Sequence, residues 1–279
     1  MSGGGSGGAE ARPGSGSGTG EPAGDPGTDV PAPARGDGSV FVLFKGGRLP
    51  SWYLLSDDER RAAEQHHIDL MLSMAEQHRM RRLEGFRLMG QQHDWQRFWV
   101  IEFPTLAGAE AWIEAEIAPP YGLYGFYEYH LARSWAVEHL RTWPTFPRPA
   151  ETPRADDPHG RPELGADRSS VVVLLFGRGR PGYEAAGPER RGDEEHVRWM
   201  QQVARDHRMI RIEAFQTIAR PSEWHRAWVI EFPTLEGAEA WMETEVLPPH
   251  GAYASKQFLL ARRWSPEYFA SWVPRGSRD

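Results

Sequence analysis

The stretch Trp99-Val-Ile-Glu-Phe-Pro-Thr-Leu-Ala-Gly-Ala-Glu-Ala-Trp112 returns almost unchanged as Trp228-Val-Ile-Glu-Phe-Pro-Thr-Leu-Glu-Gly-Ala-Glu-Ala-Trp241. A chain carrying this repeat must fold one unit twice. From Arg61 to Trp143 every position pairs with the residue 129 later without a gap. Duplication of one segment explains a likeness that dense; convergence does not. Each copy alternates bulky and smaller side chains up to a Pro-Thr and then turns to small residues at helical spacing. That is the pattern of a buried strand running into a helix, capped in the first copy by Thr105.

The rest of the unit reads outward from the repeat. Ser39-Val-Phe-Val-Leu-Phe44 predicts a buried strand, and Ser56-Asp-Asp-Glu59 predicts a capping box ahead of a long helix. Ile68, Met71, Leu72 and Ala75 form the apolar stripe of that helix, echoed by Val197, Met200 and Ala204. Runs from Arg82 and from Phe98, separated by Gln-Gln-His-Asp, predict an antiparallel hairpin. Pro119-Pro120 stops the second helix, and Tyr124 to Trp135 supplies the last strand. The order β-α-β-β-α-β is the ferredoxin-like unit, so the chain reads as α+β with two such units in tandem. Their expected bounds are 39–143 and 169–274, joined by a Pro- and acid-rich linker over 144–168 and ending in a short tail, 275–279. Residues 1–38 are almost wholly Gly, Ser, Pro, Ala, Thr and acids, a composition that predicts disorder.

One ferredoxin-like unit has helices on a single face of its sheet. Here neither face is polar: Trp99, Ile101 and Phe103 point one way, and Phe98, Val100 and Glu102 the other. Two copies meet this demand by pressing their open faces together, which makes an intramolecular dimeric α/β barrel with its helices outside. In this the chain resembles the dimeric α/β-barrel superfamily, and Ala111-Trp-Ile-Glu-Ala-Glu-Ile-Ala-Pro-Pro-Tyr-Gly122 is similar to the helix-to-last-strand passage of its YCII-related members. The resemblance implies a fold and a cleft. The superfamily spans cofactor-free monooxygenases, lactone isomerases, polyketide cyclases, dehalogenase-like proteins and, in tandem form, haem proteins of the chlorite dismutase type.

Several chemistries are excluded. The absence of cysteine removes disulfides, thiolate nucleophiles, iron–sulfur clusters and Cys-ligated zinc. A net charge of -7 argues against a nucleic-acid partner. No apolar run approaches the roughly 20 residues of a membrane helix, and the amino terminus lacks secretory features, so a cytoplasmic protein with no membrane partner is expected. There is no nucleophile elbow, phosphate loop or dinucleotide fingerprint.

The remaining candidates are charged groups in apolar strands. Glu84 and Glu213 lie in the second strand of each copy, and Glu102 and Glu231 in the third. Burial would raise such a carboxyl toward the range of a general base, and Arg82 stands two residues from Glu84 on the same face. His130 separates the copies, because its counterpart is Leu259; likewise Glu128 becomes Gln257 and Tyr127 becomes Lys256. Glu84, Glu102 and His130 are therefore the catalytic candidates, with Arg82, Tyr127, Tyr129, Glu213 and Glu231 as substrate-binding groups. No metal ligand set is read: His67 and His78, like His196 and His207, are eleven residues apart, roughly 16 Å along a helix. They read as residues at the polar boundary of that helix. Glu114 and Glu116, with Glu243 and Glu245, fall in the last turns of the second helix, against the dipole, where solvent or a nearby Arg would have to compensate.

Two functional classes stay open. One is a small-molecule-binding barrel, an enzyme of the cofactor-free isomerase, cyclase or monooxygenase type acting on a hydrophobic or aromatic substrate. The other is a non-catalytic binding or assembly protein that offers the same surfaces to a protein partner. A tandem-barrel haem protein is a further alternative, since His196, His207, His225 or His250 could supply one axial ligand. No cofactor is expected on the first two readings.

Overall fold

The structure, a computed structural model, describes residues 38–92, 94–150, 166–218, 223–264, 269 and 271–275. The expected disordered tail and most of the expected linker lie outside the described residues. The first half runs β1 (Val40–Arg48), α1 (Pro50–Tyr53), α2 (Asp57–Gln77), β2 (Arg82–Gln92), β3 (Trp95–Phe103), α3 (Leu106–Glu116), β4 (Gly125–Ser134) and α4 (Val137–Leu140). The second runs β5 (Val171–Gly179), α5 (Tyr183–Arg191), α6 (Asp193–Asp206), β6 (Arg211–Thr217), β7 (Arg226–Phe232), α7 (Leu235–Glu245) and β8 (Ala254–Arg263).

The eight strands close into one antiparallel barrel in the order β1-β3-β2-β8-β5-β7-β6-β4. Two seams join the halves: β2 meets β8, with Leu88 opposite Ala261, and β4 meets β6, with Ala132 opposite Thr217. Closure leaves no sheet edge to pair with another chain. Alternation along each strand then decides what goes where. Phe41, Leu43, Phe86, Phe98 and Val100 meet Val172, Leu174, Phe215 and Val229 inside the barrel. Val42, Phe44, Ile101 and Phe103 face outward under Met71, Ala75 and Trp112, and a matching layer covers the second half.

Local signals hold the helices in place. Ser56 and Glu59 form the capping box, the Ser56 backbone N–H donating to the Glu59 carboxylate at 2.8 Å. Thr105 accepts from the Gly108 N–H at 3.3 Å. Gly108 stands where an added Cβ would come within 2.9 Å of the Phe103 ring and 3.0 Å of the His78 Cβ, so the helix can seat against strand and neighbour only with glycine there. The stripe of α2 differs from the expectation: its buried positions are Ala63, His67, Met71 and Ala75, a step of four, which leaves Leu72 exposed.

Each half lends an arm to the other. The Trp135 N–H, just past β4, donates to Ala214 O at 2.9 Å, and the Trp264 N–H, just past β8, donates to Gly85 O at 2.8 Å. Trp143 then packs into the second half's outer core, while Trp264 and Phe269 pack into the first half's. The opening of the expected linker is seated too, with the Phe146 N–H on Met209 O at 2.8 Å.

Candidate functional site

Between the outer face of the sheet and its helices, each half holds a cleft. The first is about 160 Å³ and the second about 340 Å³. Each is roofed by the arm of the other half: Trp264 and Trp272 over the first, Trp135 and Trp143 over the second. Equivalent tryptophans form the walls, Trp99 and Trp112 in one, Trp228 and Trp241 in the other.

A histidine–glutamate pair sits at the same place in both. His67 on α2 lies 3.3 Å from Glu116 at the end of α3, and His196 on α6 lies 3.5 Å from Glu245 at the end of α7. All four are buried. This corrects the expectation for His67, His196, Glu116 and Glu245, whereas Glu114 and Glu243 are exposed and His78 and His207 half-buried, as a polar boundary requires. The carboxylates that a helix C-terminus disfavours are held by an imidazole from the neighbouring helix.

Beyond this pair the halves part. In the first, His67 stacks on Tyr121 at 3.8 Å, and the Arg48 guanidinium donates to the Tyr121 hydroxyl while lying 4.3 Å over Trp52. Arg48 occupies the register position that Gly179 takes in the second half, so the first cleft is narrowed by its own side chains. In the second, His196 stacks on His250 at 3.9 Å. His250 Nδ1 contacts Asp193 at 3.0 Å, and Arg191 donates to Asp193 at 2.6 Å. Lys256, where the first half has Tyr127, donates to the Glu245 carboxylate. Burial opposes the Glu245 charge, but the His196 hydrogen bond and the Lys256 charge override it and hold the carboxyl at about 2. Burial lowers the pKa of His250, and so do the neighbouring charges of His196 and Lys256. Among the described residues His196 Nδ1 is buried with no hydrogen-bond partner.

The balance of charge differs as well. Arg178, Arg180, Arg226 and Lys256 line the second cleft against Glu184 and Glu245; Arg48 and Arg97 line the first against Glu64 and Glu116. The second is the larger and the more cationic, with His139, His196, His225 and His250 also on its walls.

The residues singled out from the sequence do not all converge on one place. Glu84, Arg82, Glu213 and Arg211 form a ring across the two halves inside one end of the barrel. Arg82 donates to Glu213 at 2.9 Å and to Glu84 at 3.1 Å, and Arg211 donates to Glu84 and Glu213, each at 2.9 Å. Burial raises the Glu84 pKa against the pull of Arg82. Arg82, Glu102 and Glu213 face a separate cavity of about 570 Å³ at that end. Glu231 is fully buried, held by Arg148 at 2.9 and 2.7 Å and by the Ser170 hydroxyl at 2.6 Å. His130 lies at the other end of the lumen, 2.6 Å from Glu128, which also pairs with Lys45 at 2.5 Å. Tyr127 and Tyr129 pack on Phe44 outside the barrel. Burial, with the nearby Glu116 charge, pushes Tyr127 up to about 12 and raises Tyr129 too.

His196, Glu245, His250 and Lys256 were not assembled by sequence reasoning, which looked for ligands along one helix. The available signal was the double recurrence of His67/His196 and Glu116/Glu245, combined with the change of Tyr121 to His250.

Among solved structures the fold resembles chlorite dismutase from Candidatus Nitrospira defluvii. The likeness to the enzyme in complex with imidazole has a TM-score of 0.58 at 11% identity, covering 85% of this chain and 96% of that one. The likeness to a mutant in complex with cyanide has a TM-score of 0.59 at 11% identity, covering 85% and 95%. At such identity the likeness concerns the fold. No family model matches the chain, so the YCII likeness read from the sequence gains no support there, and no curated protein matches it.

Proposed function

We propose that the protein is a small-molecule-binding α/β barrel, built from two ferredoxin-like units, whose second-half cleft takes a planar, aromatic, anionic ligand. The observation that carries this is the pairing of tryptophan walls with an excess of cations: Trp135, Trp143, Trp228 and Trp241 enclose a cleft lined by four basic side chains and two carboxylates. Flat aromatic walls favour a flat ligand, and a cationic rim of low dielectric favours an anion. The fused halves act as an intramolecular pseudo-dimer. As an enzyme, the protein would use the His196–Glu245 pair as its acid–base group, because an imidazole oriented by a carboxylate is suited to proton transfer near neutrality. Glu84, Arg82 and Glu213 are assigned to holding the halves together, and Glu102 to the cavity at the barrel end.

Quenching of tryptophan fluorescence by aromatic carboxylates of increasing size, and by their methyl esters, tests this reading. Arg178→Ala combined with Arg180→Ala is expected to weaken carboxylate binding about tenfold, or ~1.4 kcal/mol. Esters that bind as tightly as the acids would overturn the reading.

Haem is a planar aromatic dianion, and the likeness in fold to chlorite dismutase supports it as a second reading. The residues fit in kind: His196 offers a buried imidazole from α6 with one nitrogen unpartnered, and Arg178, Arg180 and Lys256 offer partners for carboxylates. Bound iron would supply redox chemistry that this cysteine-free chain lacks. Addition of ferric haem is expected to give a shifted, intensified Soret band that His196→Ala removes and His67→Ala leaves in place.

A further inference from the structure

The back wall of the second cleft brings together three groups from three elements. His196 comes from α6, Glu245 from the end of α7 and His250 from the turn that follows, and one ligand atom of each lies within 4.8 Å of the other two. We propose that this cluster binds a divalent transition-metal ion, of the class that two imidazoles and one carboxylate select. The inference goes beyond the organic ligand proposed above and is independent of it.

Four features of the wall point to an ion. His250 already has Nδ1 against Asp193 at 3.0 Å, and Arg191 fixes Asp193 in turn. A ligating histidine is commonly oriented this way, with a carboxylate on one nitrogen and the other left for the metal. The His196 ring turns Nε2 toward the Glu245 carboxylate at 3.5 Å, a separation that one ion bound to both would span. Glu245 is buried, with a carboxylate oxygen within 4.8 Å of a nitrogen of each imidazole. The Lys256 ammonium bonded to it supplies the single positive charge that the cluster otherwise requires. Ion binding therefore displaces Lys256 from Glu245 and draws the three ligand atoms to within about 3–3.5 Å of one another, the separation set by metal–ligand bonds near 2.1 Å.

The duplication supplies the control. The first half keeps His67 and Glu116 but has Tyr121 in place of His250 and Tyr127 in place of Lys256. The first cleft should thus bind no ion.

Titration calorimetry with Zn²⁺, and absorption in the visible with Co²⁺, would be run on the full chain after chelator treatment and dialysis, without any organic ligand. One ion per chain is expected. His250→Tyr should abolish that binding, Asp193→Asn should weaken it about 10–100-fold, and His67→Ala should leave it unchanged. Lys256→Met should tighten binding at least tenfold, a gain that misfolding could not mimic. Absence of Zn²⁺ binding in both the parent chain and Lys256→Met would overturn the proposal, as would stoichiometry unaltered by His250→Tyr in a chain whose circular dichroism is native.

Discussion

The two halves share their strands, caps and tryptophan walls, yet they use the same space differently. In the first, Arg48 lies across Tyr121 and Trp52 and narrows the cleft; in the second, Gly179 occupies that register and leaves room. The lumen shows the reverse. There the first half contributes Lys45, Glu128 and His130, where the second contributes Phe176, Gln257 and Leu259. Helix geometry diverges too: α2 is one continuous helix of 21 residues, whereas its counterpart is kinked within α5 by Gly187 and parted between α5 and α6 by Gly192, both at positive φ. Once a barrel is closed, each copy can change its filling without endangering the other. The divergence leaves the second half with the larger cleft and the first with the smaller one.

Breaking matched positions sharpens this contrast. The largest effect is expected at Glu231. Arg148→Ala would leave that buried carboxylate with the Ser170 hydroxyl as its one side-chain hydrogen-bond partner among the described residues, at a cost of about 3–5 kcal/mol in urea unfolding. At the same place in the first half Glu102 is partly exposed, with Arg81 at 3.9 Å, and Arg81→Ala should cost under about 1 kcal/mol. An intermediate and symmetric effect is expected at the ring between the halves. Glu84→Gln and Glu213→Gln should each cost about 1–3 kcal/mol by the same measurement, since each removes charge from hydrogen bonds to both arginines. A large difference between the two would show that the ring is not shared equally.

The smallest effect concerns pH. Burial opposes the Glu128 charge, but the hydrogen bonds of His130 and Lys45 prevail and keep its folded-state pKa below the ordinary 4.5. A depressed carboxyl stabilises the fold above its unfolded value and ceases to do so as pH falls through the folded value. Melting temperature should therefore decline below about pH 4.5. Glu128→Gln should flatten that decline. Equal acid sensitivity in the parent and Glu128→Gln would remove this distinction between the halves.

Much of the fold was legible in the sequence because period and register are local properties. Trp99, Ile101 and Phe103 alternate with Phe98 and Val100, and that alternation alone assigns one set to the helices and one to the lumen. The capping box at Ser56 and the cap at Thr105 were equally local. The site was less legible because it is assembled from side chains far apart in sequence. His196 and Glu245 are separated by a hairpin and a helix, and nothing in their immediate neighbours announces that α6 and α7 bring them within 3.5 Å. The candidates that were found, Glu84 and Glu231 among them, attracted notice as charges in apolar strands. The structure gives each a partner from a distant segment, Arg211 and Arg148 respectively, that a strand-by-strand reading could not supply.

The arms that follow β4 and β8 carry a consequence for how the chain is held together. In a dimer of separate single units, an arm covering the partner's cleft would depend on concentration, and dilution would uncover both sites. Fusion makes the same contact intramolecular, with an effective concentration on the order of millimolar for a short connection. Roofing then persists at any dilution, and selection can alter one arm without altering its twin, as the replacement of Phe269 by Leu140 at the matching position illustrates. A polypeptide of residues 39–143 alone should accordingly recover a roof only by pairing with a second copy, which sedimentation over a dilution series would reveal as a reversible monomer–dimer equilibrium absent from the full chain.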